Sequence, residues 1–319
     1  MPDMQQLIHY ATMAPSGHNT QAWIFRIKQE DMIRICPDLT RSLHVVDPQD
    51  RELYISIGCA LENLVIAAAH QGYEASPAPL SGNGSVDVLL KPVSYKAINK
   101  VLFDAIPERQ STRSRYDGSP IPKAELQKLS SFPLEEGVRA IIVTEPEKIE
   151  RIIGLVRDGN NIQMNNPAFM QELISWIRFN RKEVDMYRDG LSFEATGSPH
   201  VPRTVGKLFV KLFLNARTQS KKDENNIRSS SALLAVVSEN NDIDSWIRTG
   251  RSFERLALYA TSLGIKNAHI NQPCEVPELK DRLQELLSLG SRHPQLLLRL
   301  GYAKKLPGSP RRDVDELVR

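Results

Sequence analysis

Two stretches of this chain, "YISIGCALENLVIAAAHQGYEA" from Tyr54 and "WIRTGRSFERLALYATSLGIKN" from Trp246, can be laid over one another without a gap. Ile55, Gly58, Glu62, Leu64, Ala68 and Gly72 then face Ile247, Gly250, Glu254, Leu256, Ala260 and Gly264 at one constant offset. Both read as buried helices closed by a C-terminal glycine. Apolar strands precede each one, "WIFRI" and "MIRICPD" before the first, "VRAIIVTE" and "ALLAVVSE" before the second. After each comes a loop and then another apolar strand, "VDVLLKPV" from Val86 and "PQLLLRLGYA" from Pro294. Self-similarity at long range decides architecture before any local motif does. It predicts an α+β protein of two fused homologous halves, residues 1–106 and 107–319, each a mainly antiparallel sheet flanked by helices.

The halves differ in what they add to that unit. Only the first carries "MAPSGHNTQAWIFRI" from Met13, where Pro15 ends a helix predicted from Asp3 to about Met13 and Trp23, Phe25 and Ile27 alternate as a half-buried strand. Turn chemistry accounts for Pro15, Ser16, Gly17 and Asn19. A polar loop between buried elements, with His18, Thr20 and Gln21 beside them, suits a planar ligand rich in donors and acceptors equally well. Only the second half carries "ERQSTRSRYDG" from Glu108, with Arg109, Ser111 and Arg113 on alternate positions, a pattern able to converge on one anion. It also carries an insertion over about 157–231. Phe169, Leu173, Trp176, Ile177 and Val184 lie at near-helical spacing there, before the glycine-bearing loop "DGLSFEATGSP". This is read either as a stabilising helical hairpin or as a lid hinged at its glycines.

Composition narrows the function. With 319 residues and 41% hydrophobic content the chain can bury a large core, and no apolar run approaches the ~18 residues of a membrane span. A soluble protein with no membrane partner is expected. The opening "MPDMQQLIHY" lacks a basic and then apolar leader, so the expected location is cytoplasmic. Cys36, Cys59 and Cys274 are too scattered for a disulfide framework or a zinc site. A net charge of +3 leaves no electrostatic footprint for nucleic acid. Of the basic clusters, "RTQSKKDENN" reads as solvated surface, because acids interleave and nothing apolar accompanies it.

"RQSTRSRYDGSPIPKAEL" resembles the R-x-S-x-R/K segment of flavin mononucleotide (FMN) enzymes of the nitroreductase family, and "APSGHNTQAWIF" resembles their A-P-S-x-x-N-x-Q-P-W-x-F segment. Here the two occur in reversed order, as in the Acg-type branch of fused, lidded proteins. "DPQDRELYISIGCALENL", the W-x-R-x-G-R string at Trp246, "YRDGL" and the closing "PGSPRRDVDELV" also have counterparts there. One departure is Ala22, where the wider family often has proline.

The resemblance implies a nitroreductase-like fold and a pseudo-dimer. A monomer is expected, with further dimerisation open. A single FMN site would be assembled from Pro15, Ser16, Gly17, His18, Asn19, Thr20 and Gln21 of one half and Arg109, Ser111 and Arg113 of the other. The two arginines and Ser111 would hold phosphate and ribityl chain, with Arg113 able to reach the ring. His269, Asn271 and Gln272 of "HINQP" would lie at its far edge, though a plain helix exit and a core histidine fit the same residues. Arg311 and Arg312 would reach the phosphate. The implied activity transfers electrons from NAD(P)H through FMN to a small-molecule acceptor, a nitroaromatic or quinone. The alternative is a lidded protein that sequesters FMN with little or no NAD(P)H turnover. A third reading is a structural duplicated protein with no cofactor. No catalytic side chain is expected, since the flavin would carry the chemistry, and no metal.

Overall fold

The structure, a computed structural model, describes residues 1–93, 100–196 and 199–319. Helix α1 (Met4–Thr12) is capped by Asp3, whose carboxylate accepts from the Gln6 backbone N–H at 3.0 Å. Strands β1 (Trp23–Gln29) and β2 (Met32–Pro37), helix α2 (Arg51–Gln71) and strands β3 (Tyr73–Pro77) and β4 (Val86–Pro92) follow. They form an antiparallel sheet in the order β1-β2-β4-β3. After α3 (Lys100–Ala105) and α4 (Lys123–Ser130), strand β5 (Val138–Val143) begins a second sheet.

Helices α5 (Pro146–Met164) and α6 (Pro167–Trp176), strand β6 (Ile177–Arg178), α7 (Arg181–Tyr187), β7 (Leu191–Ser192), α8 (Arg203–Phe213) and α9 (Ala216–Arg228) then intervene. The second sheet is completed by β8 (Ala232–Ser238), α10 (Ile243–Ser262), β9 (Lys266–His269), α11 (Gln272–Glu275), α12 (Pro277–Leu286) and β10 (His293–Gly301), and α13 (Val314–Leu317) lies near the C-terminus. Its strand order, β5-β8-β10-β9, repeats that of the first sheet strand for strand, and every pairing in both is antiparallel.

Helices α2 and α10 lie between the sheets, and their contact explains the shared glycines. A Cβ on Gly58 would sit 2.1 Å from the Ile247 carbonyl oxygen, and one on Gly250 would sit 1.9 Å from that of Ile55. These four residues are repeat partners, so the helices cross reciprocally where both side chains are missing. One buried cluster therefore takes Trp23, Phe25 and Leu64 from the first unit and Leu234, Phe253 and Leu298 from the second. Among the described residues α2 is the one helix long and apolar enough to cross a membrane, but 78% of its apolar window is buried inside the molecule. It is a core helix.

Several sequence expectations change. The two four-stranded sheets hold one more strand each than the periodicity indicates. β3 ("YEASP") and β9 ("KNAH") are short edge strands without an apolar face. Helix α10 ends at Ser262 with Leu263 as its cap, and Gly264 in the left-handed position behind it closes the helix as expected. The expected boundary at residue 157 falls inside α5, which runs on to Met164. The helical stretch of the insertion is broken at Ile177, where Ile177–Arg178 pairs with Leu191–Ser192. Arg178 is held there by Asp189, at 2.7 Å. Gly197, one of the two expected hinges, lies outside the described residues.

Candidate functional site

The loop after α1 is strained and heavily braced. His18, Asn19 and Gln21 have φ of 46°, 56° and 53°, in the left-handed region that favours glycine. Such backbone persists only where its surroundings over-determine it. Here the Ser16 hydroxyl accepts from the Gln21 N–H at 2.9 Å. The Asn19 carbonyl accepts from the Gly190 N–H at 3.1 Å, and Asn19 Nδ2 donates to the Gly190 and Pro310 carbonyls, each at 3.2 Å. Gln21 Nε2 donates to the Arg188 carbonyl at 2.9 Å, and its Oε1 accepts from the Arg312 N–H at 2.9 Å. Two distant segments, 188–190 and 310–312, thus converge on the loop.

Two cavities abut beside it. The larger, about 680 Å³, is lined by Pro15, Ser16, Gly17, His18, Ser111, Arg113, His269, Asn271 and Gln272 among others. The smaller, about 190 Å³, is lined by Asn19, Arg109, Gln110 and Arg311 with the 307–309 turn. Pro15, Ser16, Ser111 and Arg113 line both. Of the residues singled out from the sequence, Thr20, Gln21 and Arg312 line neither. Gln21 is fully buried, Thr20 accepts from Arg41 Nε through its carbonyl at 2.6 Å, and Arg312 Nε lies 3.5 Å from Glu316. They brace the loop from behind.

The smaller cavity has a surplus of positive charge. Arg109 Nε is 3.1 Å from Glu254 Oε1, both side chains being almost wholly buried, and Arg109 Nη2 donates to the Met13 carbonyl at 3.2 Å. Arg311 donates to the Met13 and Ala14 carbonyls at 3.1 Å and to Asn19 Oδ1 at 2.9 Å. Arg113 takes no ion pair and no hydrogen bond among the described residues. One carboxylate is therefore set against three guanidinium groups. Burial pushes Glu254 up to about 7 against the pull of Arg109, which reduces even that counter-charge. Burial, and then neighbouring Arg109, lowers Arg311 to about 9. Buried cations without partners are costly, and an anion with several oxygens would relieve the cost.

The larger cavity differs. Burial lowers the pKa of both His18 and His269, the latter to about 4, so both imidazoles are neutral at pH 7. Each has a buried Nδ1 without a partner among the described residues. His269 ends β9 and meets the Phe253 ring edge-on at 5.1 Å. Asn271 donates from Nδ2 to Glu52 Oε1 at 3.0 Å and accepts from the Leu297 N–H at 2.9 Å, while Gln272 Nε2 reaches Asn160 and Asp223.

The far wall holds two carboxylates that the sequence did not single out. Glu52 is ion-paired to Arg51 at 3.0 Å, and Glu275, which accepts from Gln163 at 2.6 Å, is pushed up to about 8 by burial and by Glu52. No spacing signal marks a lone glutamate in a helix's first turn as a cavity residue. The roof comes from the insertion, through Phe169, Leu173, Ile177, Leu191 and Phe193, joined by Phe209 and Phe213 of α8. Glu172 of α6 ties it down by accepting the Val45 and Val46 N–H groups at 3.0 and 3.1 Å. Asp189 accepts from Arg178 Nε at 2.9 Å and is also ion-paired to Arg41.

No protein-family model matches the chain. Two relatives from Mycobacterium tuberculosis, one of strain H37Rv and one of strain CDC 1551 / Oshkosh, both bear the name "Putative NAD(P)H nitroreductase". Each is 26% identical over 325 residues, covering 99% of this chain and 90% of the relative. Similar solved structures include the FMN-dependent nitroreductase NfnB of Mycobacterium smegmatis in complex with NADPH, at 13% identity and a TM-score of 0.46, covering 69% of this chain and 97% of that one. A nitroreductase of Desulfitobacterium hafniense with bound FMN has 13% identity and a TM-score of 0.44, covering 69% and 97%. The chain is a relative, from end to end, of mycobacterial proteins named as NAD(P)H nitroreductases.

Proposed function

We propose that this protein is an FMN-dependent oxidoreductase of nitroreductase type, built from two fused copies of one unit that together keep a single flavin site. The observation that carries the reading is the pair of abutting cavities. One is small and cationic, the other large, partly apolar and lined by neutral imidazoles, and Pro15, Ser16, Ser111 and Arg113 are common to both. A ligand with an anionic tail and a planar, hydrogen-bonding head fits that layout. The curated relatives' names agree with it.

In this reading Arg109, Ser111 and Arg311 hold the phosphate. Arg113, which has no partner among the described residues, would supply a cation to the ring, where negative charge collects on reduction. When bound, FMN supplies the redox chemistry, accepting hydride from reduced nicotinamide and delivering electrons to an acceptor. The strained 16–21 loop presents Ser16, Gly17 and His18 to the ring, and the backbone of Asn271 and Gln272 lies at its far edge. His18 and His269, neutral at pH 7, offer hydrogen bonds without adding charge. The apolar roof covers part of the larger cavity. Nitroaromatic and quinone acceptors suit such a cavity.

The sequestering alternative is favoured by one observation, the fastening of the Arg188–Gly190 strap to the flavin loop through Asn19 and Gln21. Anaerobic mixing of the FMN-loaded protein with NADPH and with NADH separates the two. The enzyme reading expects flavin absorbance to bleach and to recover when a quinone or nitroaromatic is added. Retained FMN that neither nicotinamide bleaches would sink it in favour of sequestration.

A further inference from the structure

Helix α8 is the most exposed apolar feature among the described residues. Val205, Leu208, Phe209, Leu212 and Phe213 recur at three- and four-residue spacing along one face, and each is between 54% and 62% exposed. The adjoining edge, Gly206 and Val210, is buried, with Gly206 packed on the Phe179 ring. The stripe is thus left over after α8 has docked on the molecule. Soluble surfaces scatter such side chains singly, and a contiguous patch marks an interaction site.

Charge says what covers it. Residues 203–222 contain Arg203, Lys207, Lys211, Arg217, Lys221 and Lys222 and no acidic residue. Arg203 is paired with Glu183 at 3.0 Å, while the other five cations have no ion pair among the described residues. The basic stretch that the sequence assigns to plain solvated surface is therefore continuous with an exposed apolar face. An amphipathic helix with a basic flank beside a Phe/Leu face is the pattern of an interfacial helix. A second copy of this chain across a two-fold axis would bring the same cations together, and that opposes self-association through this face. The burial of α2, the one helix among the described residues long and apolar enough to span, says nothing against a helix lying in the interface.

The helix also forms part of the cavity rim. Phe209, Phe213 and Leu214 line the larger cavity, together with Lys222 of α9. We propose that α8 docks the protein peripherally on an anionic lipid surface, with the rim of the larger cavity turned toward the lipid. This goes beyond the flavin reading and does not depend on it.

The test is sedimentation of the full-length protein with phosphatidylcholine vesicles, with and without phosphatidylglycerol. Binding is expected to the anionic vesicles only. Raising the salt from about 0.1 M to about 1 M, which shortens the screening length from ~10 Å to ~3 Å, should weaken it about tenfold or more. The double variant Leu208→Glu, Leu212→Glu and the double variant Lys207→Glu, Lys211→Glu should each bind at least tenfold more weakly. Circular dichroism checks that both stay folded, as surface changes should allow. As an independent readout, Leu208→Trp should show a blue-shifted emission that brominated lipids quench. Absence of binding to anionic vesicles, or binding untouched by either double variant, would overturn the proposal. So would dimers in light scattering that disappear with Leu208→Glu while vesicle binding is nil, which would assign the face to a second copy.

Discussion

Arg109 and Arg113 stand two residues apart in one motif, yet their surroundings give them different roles. Arg109 is ion-paired to the buried Glu254, so Arg109→Ala should drive that group to its protonated form and leave it unpaired in the core, at a cost of about 1 to 3 kcal/mol of folding stability. Arg113 has no partner among the described residues. Arg113→Ala should leave the urea midpoint nearly unchanged and weaken FMN binding by about 1 to 3 kcal/mol, the scale of a charge-assisted contact. Urea melts beside FMN titrations of both variants check this, and equal stability losses would refute the assignment.

His269 makes a pH prediction. Burial holds its folded pKa at about 4, below the ~6.5 of an unfolded histidine. A depressed histidine contributes stability that is complete above the unfolded value and is lost as pH falls through the folded one. Glu254, raised to about 7, acts in the opposite sense but is common to wild type and variant. Between about pH 6.5 and pH 4 the melting temperature of wild type should therefore fall more steeply than that of His269→Gln. Parallel curves would show that His269 does not titrate as a buried group.

At the scale of elements, the α2–α10 crossing and the strap make the tests. Gly250→Ala would place a methyl group against the Ile55 carbonyl and should destabilise by about 1 to 3 kcal/mol or more, since both backbones must move apart. Gly154→Ala, in α5 with nothing within 4 Å, should be neutral or add up to about 1 kcal/mol. Chemical denaturation of the pair isolates the crossing from helix propensity. Asp189 anchors the strap through Arg178 and Arg41. The Asp189→Ala variant should loosen the strap and speed bleaching of bound FMN by dithionite in stopped-flow. Unchanged bleaching would mean that the strap braces the loop without gating it.

The legibility of these elements in the sequence follows from their physics. α2, α10 and the central strands were readable because deep burial imposes apolar periodicity, and the loop and the R-x-S-x-R segment because their composition is unusual. β3 and β9 were not, since short edge strands with no alternating apolar face leave no period to read. Glu254 was visible as a repeat position but not as a partner of Arg109. Its mate Glu62 pairs instead with Arg251 and Arg255, at 3.0 and 2.7 Å. Thr20, Gln21 and Arg312 read as ligand residues in the sequence because proximity along the chain cannot separate a residue that lines a cavity from one that braces it.

At the scale of the molecule, two sheets of identical strand order share one core across reciprocal glycines, while the polar additions do not repeat. The loop at Ser16 belongs to the first unit and the arginines at Arg109 and Arg113 to the second, and one pair of cavities lies where they meet. A symmetrical dimer of such units would hold two equivalent sites. This chain, with one such pair of cavities among the described residues, is expected to hold one. The most direct test is the stoichiometry of FMN binding to the purified full-length chain, read from flavin fluorescence quenching against known protein concentration. The account predicts saturation at one FMN per chain, with Arg113→Ala weakening that single phase. Two sites per chain, or no binding at all, would contradict it.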